Sequence, residues 1–240
     1  MRFATLATFV GVAASATAQT LTGQFDCMPA GEFTLCQNLW GESAGVGDQN
    51  STLLSASGST VSWRTQWQWQ NNQNNVKSYA NVLSNTAKGV QLSALQSAPT
   101  AWSWVYESQS SGIRADVSYD IWTGVAQSGS PATSASSYEI MIWLSGQGGI
   151  QPVGSQVQSG ISLAGHTWNL WKGPNANWEV LSFVSQDGDI TNFNADLKEF
   201  FDYIVANQGV SPSQAIQTGT EPFTGSASLL THSYSVALNH

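Results

Sequence analysis

Short runs rich in Trp, Tyr, Val and Ile recur along this chain and are separated by clusters of Gly, Ser, Asn and Pro. Such runs favour extended backbone, and the intervening residues favour turns. Their spacing is typical of antiparallel strands in a β-sandwich or jelly roll. We therefore predict an all-β fold. The clearest runs are 61–69, 101–106, 113–122, 138–144, 166–171 and 178–185.

One segment departs from the strand pattern and predicts a single amphipathic helix. Asn194 is placed to cap it, and Gly209 stands just beyond its end. We expect this helix to lie across the outside of the sandwich. Its apolar residues at helical spacing are Leu197, Phe200, Phe201, Ile204 and Val205.

The N-terminal residues 1–18 have the pattern of a secretory signal peptide, with cleavage before Gln19. We predict a secreted, extracellular protein whose residues 19–240 form one catalytic domain without a membrane anchor. Cys27 and Cys36 flank a turn-prone segment, and in an oxidising compartment they are expected to form a disulfide within a hairpin.

The charge balance argues against anionic partners. Only 9% of residues are charged and the formal net charge is −8, whereas binding of nucleic acid or anionic lipid depends on Lys and Arg. Eleven Trp residues in this weakly charged chain favour a neutral polysaccharide. Nothing in the sequence calls for a metal or a cofactor, and the chain is expected to be a monomer.

Glu139 is the strongest catalytic candidate because it interrupts an apolar strand. With a period of two, Tyr138, Ile140, Ile142 and Leu144 face the core, while Glu139, Met141 and Trp143 face the other way. A carboxylate beside an indole suits a sugar ring, whose apolar faces stack on aromatic side chains. The alternative is an edge-strand glutamate that faces water.

Glu221 is the candidate for a second acid, which glycoside hydrolysis requires. It lies between Gly219 and Gly225, next to Pro222 and Phe223. The glycines allow a ligand to approach, and Phe223 can exclude water. A simple turn glutamate is the alternative, since Gly-Thr-Glu-Pro is also good turn chemistry.

Two further segments carry candidate residues. Strand alternation places Asp116 and Asp120 on one face, and Asp120 could sit beside Glu139 on a neighbouring strand and donate a hydrogen bond to it when protonated. Asn38 and Trp40 would share one face of an extended segment and bind a sugar. The tryptophans that share a face of one strand are instead assigned to the core: Trp63, Trp67 and Trp69.

These motifs together resemble the fungal members of glycoside hydrolase family 12. The segments that carry the resemblance occur in the family's order, from about Gly23 to the C-terminus: 38–41, 75–79, 116–120, 138–144, the helix around 196–203, and 219–225. The resemblance implies a secreted, retaining endo-β-1,4-glucanase. It also implies a β-jelly roll in which two packed antiparallel sheets form a substrate cleft.

Carried over by motif, the resemblance implies Glu139 as the nucleophile, Glu221 as the acid/base and Asp120 as the partner of the nucleophile. It further implies that Asn38, Trp40, Met141 and Trp143 bind substrate, as Phe223 is also expected to do. The loop at 170–175 looks similar to that of xyloglucan-active members, which slightly favours xyloglucan over cellulose and mixed-linkage glucan. A catalytically silent lectin and a xylanase remain the alternatives.

Overall fold

The computed structural model describes residues 18–124, 136–209 and 214–240. Residues 1–17, which carry most of the predicted signal peptide, lie outside this part of the chain. The described elements are β1 (Gln19–Leu21), β2 (Cys27–Ala30), β3 (Phe33–Cys36), a 3₁₀ turn (Glu42–Ala44), β4 (Val46–Ser57), β5 (Thr60–Gln70), β6 (Ala80–Lys88), a second 3₁₀ turn (Leu92–Ala94), β7 (Pro99–Gln109), β8 (Arg114–Gly124), β9 (Ser136–Gln147), β10 (Ser155–Leu163), β11 (His166–Asn175), β12 (Trp178–Ser185), β13 (Asn192–Asp196), α1 (Lys198–Gln208), β14 (Gln214–Thr220) and β15 (Pro222–Val236). Each of the predicted runs is a strand here.

The strands form two sheets that pack face to face. In the outer sheet the order is β1-β4-β5-β15-β7-β13. In the inner sheet it is β2-β3-β6-β14-β8-β9-β12-β11-β10. Among these described pairings only β9 and β12 run parallel. The predicted all-β jelly roll of two sheets, with one helix, is confirmed.

The space between the sheets is filled by aromatic and branched side chains. The inward indoles of the outer sheet meet the inner sheet directly, since the rings of Trp102 and Tyr119 cross edge to face with centroids 5.3 Å apart. Trp63, Trp67 and Trp69 are buried in the same cluster, as predicted. Close packing of this kind supplies most of the apolar burial that stabilises a domain of this size.

The helix α1 packs through one face but begins later than predicted. Its Phe200 ring lies 5.2 Å from Trp168 and 5.1 Å from Phe183. The prediction that Asn194 caps the helix is wrong, because that residue pairs with Ala101 in strand β13. Gly209 ends the helix in the left-handed conformation, with a φ of 69°.

The predicted disulfide within a hairpin is confirmed. Cys27 and Cys36 are joined by a disulfide across the β2–β3 hairpin, where they are paired residues. Gly31 makes the turn of this hairpin with a φ of 68°. Within the described ranges, no helix has the length and apolar character needed to span a membrane.

Candidate active site

The outward face of three neighbouring strands, β8, β9 and β12, forms the floor of the candidate cleft. Ile140 and Ile142 of β9 belong to the core between the sheets, whereas Met141 and Trp143 form a separate apolar cluster with Val180 on the opposite side of the inner sheet. The predicted division of β9 into a core face and a cleft face is therefore confirmed. It follows from the two-residue period of an extended strand.

Glu139 lies in the middle of the inner sheet. It is opposite Trp122 on β8 and opposite Val180 on β12, and only 9% of its surface is exposed. An edge-strand glutamate facing water is thus not what the structure shows. Its Oε2 atom accepts a hydrogen bond of 2.7 Å from the indole Nε1 of Trp178.

Two opposing effects set the protonation of Glu139. Burial raises its pKa to about 6, while hydrogen bonds from Trp178 and Asn175 lower it. Donors that point at a carboxylate favour its ionised form. Glu139 is therefore a buried carboxyl whose surroundings still assist ionisation, which is the state that a nucleophile requires.

Asp120 is close to Glu139 but does not bond to it as expected. Its Oδ2 accepts a hydrogen bond of 3.1 Å from Trp122 Nε1, and its Oδ1 is buried without a partner among the described residues. The register explains this arrangement, because Asp120 faces Met141 across the strand pair and meets Glu139 only diagonally. Burial, and then the charge of Glu139, raise the pKa of Asp120 well above its usual value.

Glu221 occupies the junction between β14 and β15, where the chain passes from the inner sheet to the outer one. Burial raises its pKa well above the usual range, and the charges of Asp116 and Glu139 raise it further. The Glu221 amide donates to Asp116 on β8, the strand that pairs with the one carrying Glu139. Gly219 is needed here because a side chain at that position would collide with the Ala80 carbonyl of β6.

Asp116 is a site residue whose role sequence reasoning missed. The backbone amide of Glu221 donates to its Oδ1 at 3.2 Å, and the Ser118 hydroxyl donates to the same atom at 2.9 Å. Burial raises the pKa of Asp116 to about 7, against which these hydrogen bonds act. Asp116 is thus a buried carboxyl that holds the backbone of the partly buried Glu221.

Lys77 supports the segment that carries Glu221. It is fully buried, and its Nζ donates to the carbonyl oxygens of Asn72, Asn75 and Phe223 at 2.9, 2.7 and 2.9 Å. Its backbone amide also donates to the Pro222 carbonyl at 2.9 Å. The lysine therefore ties the asparagine-rich loop to the residues that follow Glu221.

Asn38 and Trp40 do not lie on an extended segment, so that prediction is wrong. Asn38 has a φ of 48°, which reverses the chain locally and turns Leu39 into the core. Trp40 is 53% exposed. The Gly41 amide donates to the Lys77 carbonyl at 3.0 Å, which places Trp40 next to the Lys77 segment. Its exposed indole is available for stacking on a sugar.

The remaining predicted binding residues differ in how much surface they offer. Met141, Trp143 and Phe223 are 5%, 2% and 7% exposed, so each presents at most an edge to the cleft. The Nε1 of Trp143 is buried without a partner among the described residues. No group of three or more His, Cys, Asp or Glu residues in this part of the chain has the arrangement of a metal site.

Comparison with known proteins agrees with this geometry. The model of glycosyl hydrolase family 12 matches residues 31–239. A xyloglucan-specific endo-β-1,4-glucanase A from Aspergillus aculeatus is 42% identical over 240 residues, which is 97% of each chain.

Solved structures show the same similarity. The crystal structure of endoglucanase 3 from Trichoderma harzianum superposes with a TM-score of 0.84 at 38% identity, over 95% of this chain and all of that one. The catalytic domain of Humicola grisea Cel12A, solved with a soaked thio cellotetraose, gives a TM-score of 0.85 at 34% identity over 92% and 99% of the two chains. The match over nearly the whole domain places this glycoside hydrolase in glycosyl hydrolase family 12.

Proposed function

We propose that the protein is a secreted, retaining endo-β-1,4-glucanase that prefers xyloglucan. The observation that carries the proposal is that Glu139 lies on β9 while Glu221 is hydrogen-bonded to Asp116 of the neighbouring strand β8, which brings two glutamates to one cleft. The named activity of the Aspergillus aculeatus relative supports the substrate class.

The surroundings of the two glutamates favour different protonation states. Glu139 accepts an indole N–H, which favours the carboxylate. Glu221 is partly buried beside Asp116, and desolvation together with the charge of Asp116 raises its pKa and favours the neutral acid. A pair of carboxyls whose environments separate their pKa values in this way is the usual basis for assigning a nucleophile and a general acid.

The reaction then proceeds by double displacement. Glu139 attacks the anomeric carbon while Glu221 protonates the departing glycosidic oxygen, and a covalent glycosyl-enzyme forms. Glu221, now ionised, takes a proton from water, and that water releases the sugar with its original anomeric configuration. Asp120 stays neutral beside the ionised nucleophile because burial, and then the charge of Glu139, raise its pKa.

The preference for xyloglucan is supported by the hairpin β11–β12 at the side of the cleft. Its turn, at 175–178, carries Asn175 and Trp178, both of which reach Glu139. The segment leading into this turn is similar to that of xyloglucan-active relatives. Trp40 lies outside the strands, next to the Lys77 segment. It offers the exposed ring on which a glucose unit of the main chain would stack.

Secretion is part of the proposal. The predicted cleavage before Gln19 would leave strand β1 intact, since Gln19 itself pairs with Leu53 of β4. N-terminal sequencing of the protein from the culture medium of a eukaryotic host should begin at Gln19. We expect the mature protein to be a monomer without nucleic-acid or membrane partners, which sedimentation analysis would check.

The decisive experiment compares Glu139→Ala, Glu221→Ala and the exposed-site control Glu32→Ala on xyloglucan, carboxymethylcellulose, mixed-linkage β-glucan and xylan. Viscosity and reducing ends are measured together. The wild type and the control should lower viscosity fastest on xyloglucan, and both site variants should lose at least about 1,000-fold in rate.

Azide distinguishes the two roles in the same assay. An activated aryl glycoside with Glu139→Ala and azide should give the α-glycosyl azide, and Glu221→Ala should give the β-glycosyl azide, because azide replaces the nucleophile in the first case and water in the second. Binding without hydrolysis by the wild type would indicate a lectin, and preferential cleavage of xylan would indicate a xylanase. Either result overturns the proposal.

A further inference from the structure

Trp178 stands at the point where the substrate-side hairpin meets the nucleophile. It begins β12 directly after the turn that follows Asn175, with which it pairs. Because β12 runs parallel to β9, with Val180 opposite Glu139, the side chain of Trp178 is directed over the same face of the sheet. It packs there against the cluster of Met141, Trp143 and Val180.

The indole of Trp178 is held on two sides. Its Nε1 donates to Glu139 Oε2 at 2.7 Å, and its ring meets that of Trp122 at a centroid distance of 5.3 Å and an angle of 70°. Trp122 in turn donates its own Nε1 to Asp120 Oδ2. Two packed indoles therefore each hold one oxygen of a different buried carboxyl.

We propose that Trp178 is a positioning residue, which holds Oε2 of Glu139 and so fixes the rotation of the carboxylate for attack on the anomeric carbon. This inference rests on the proposed role of Glu139 as nucleophile. It adds a task for the hairpin turn, which both borders the substrate and orients the group that reacts with it.

The physical reason lies in the freedom of a glutamate side chain. The terminal torsion of glutamate is broad and has little preference of its own, so a carboxylate without a fixed donor samples many orientations. A charge-assisted hydrogen bond of this length selects one of them. Attack on a sugar carbon demands close alignment, and a small loss of alignment costs a large factor in rate.

The test removes the donor while keeping the ring. Trp178 is replaced by 3-benzothienylalanine through nonsense suppression. This amino acid keeps a bicyclic ring against Trp122 but has no N–H. In the matched control, the same suppression inserts tryptophan. Trp178→Phe gives a second variant made without special chemistry. The substrate is 2,4-dinitrophenyl β-cellobioside, whose leaving group needs no proton from Glu221, so the rate of the first step reports on Glu139 alone.

We expect both variants to form the glycosyl-enzyme about tenfold more slowly than the control. The rate constant of glycosylation should fall, whereas KM should stay the same. Because the lost hydrogen bond favours the ionised carboxylate, the acid limb of the pH profile should also move to higher pH. A loosened fold would admit water to Glu139 and lower its pKa, so a loss of rate without movement of the acid limb to higher pH overturns the inference.

Unchanged rates and an unchanged profile also overturn it. These outcomes are distinct from failure of the proposed function, in which the tryptophan control itself would not cleave the aryl cellobioside or any glucan. Circular dichroism of each variant, matched to the control, excludes misfolding as the cause of a loss.

Discussion

Asp116 and Glu221 are joined by two hydrogen bonds, one between their backbones and one from the Glu221 amide to the Asp116 carboxyl. The Asp116 amide donates to the Glu221 carbonyl at 3.2 Å, and the Glu221 amide donates to Asp116 Oδ1 at 3.2 Å. The acid/base candidate is thus fixed to a strand of the inner sheet although it lies in a connection. Its protonation consequently depends on a second carboxyl that cannot move away.

The first prediction concerns Asp116→Asn, which removes the charge but keeps the shape. Because the charge of Asp116 adds to burial in raising the pKa of Glu221, the variant should lower the pKa of Glu221. Carboxyl ¹³C NMR of protein labelled at Glu measures this directly. The control is Asp48→Asn, on the exposed face of the outer sheet. If Glu221 titrated equally in the wild type, the Asp116 variant and the control, the prediction would be contradicted.

A second prediction follows from the neutral state of Asp120. Its pKa is raised well above the usual value, so at working pH an amide resembles the native group. Asp120→Asn should keep kcat within about tenfold of the wild type. Asp120→Ala should lower kcat by at least about tenfold more, because it leaves the Trp122 indole N–H without its acceptor. If the asparagine variant were as inactive as the alanine variant, Asp120 would have to act as an anion.

Lys77→Met should destabilise the fold by about 2–4 kcal/mol in the free energy of unfolding, measured with denaturant. The substitution leaves the buried Phe223 carbonyl without its donor and releases the loop at Asn72 and Asn75. Lys88→Met, at an exposed lysine of β6, is the matched control and should change the free energy by less than about 0.5 kcal/mol. Equal effects of the two substitutions would show that the three hydrogen bonds contribute little.

Thermal stability should fall as the pH rises from about 4 to about 7. Burial raises the pKa of Asp116 to about 7 and that of Glu139 to about 6, and raises those of Asp120 and Glu221 as well. The folded protein therefore binds protons that the unfolded chain has released, and its stability is greatest below the ordinary carboxyl pKa of about 4 and decreases through this window.

The measurement is Tm by calorimetry across pH 4–8, with Asp120→Asn as a comparison that removes one of the four groups. We expect Tm to drop by at least about 5 °C in the wild type and by less in the variant. A Tm that rose with pH over this range would contradict the raised pKa values.

Periodicity along a single strand was enough to predict the face on which Glu139 lies. Ile140 and Ile142 must be buried together, so Glu139 has to point the other way, whatever strands flank β9. The burial of the tryptophans of β5 was predictable from the residues of a single strand in the same way. The family resemblance, carried by the segments around Glu139 and Glu221, added the jelly roll and the class of reaction.

Contacts between distant strands could not be predicted in this way. The hydrogen bond from Glu221 to Asp116 spans 105 residues of sequence, and the bond from Trp178 to Glu139 depends on a parallel pairing that no local pattern indicates. The start of the helix was wrong for a related reason. Asn194 has a good capping side chain, but pairing of β13 with β7 holds it in a strand, which outweighs the local preference.

Glu139 sits on a strand that is paired on both sides, and this position governs how the enzyme responds to heat. Strands in the interior of a sheet open only when the domain as a whole unfolds, whereas edges and turns open earlier. Loss of the nucleophile's geometry should therefore coincide with global unfolding. Any activity lost on heating before the sheets separate should therefore come from the turn at Trp178 or the connection at Glu221, and not from the strand that carries the nucleophile.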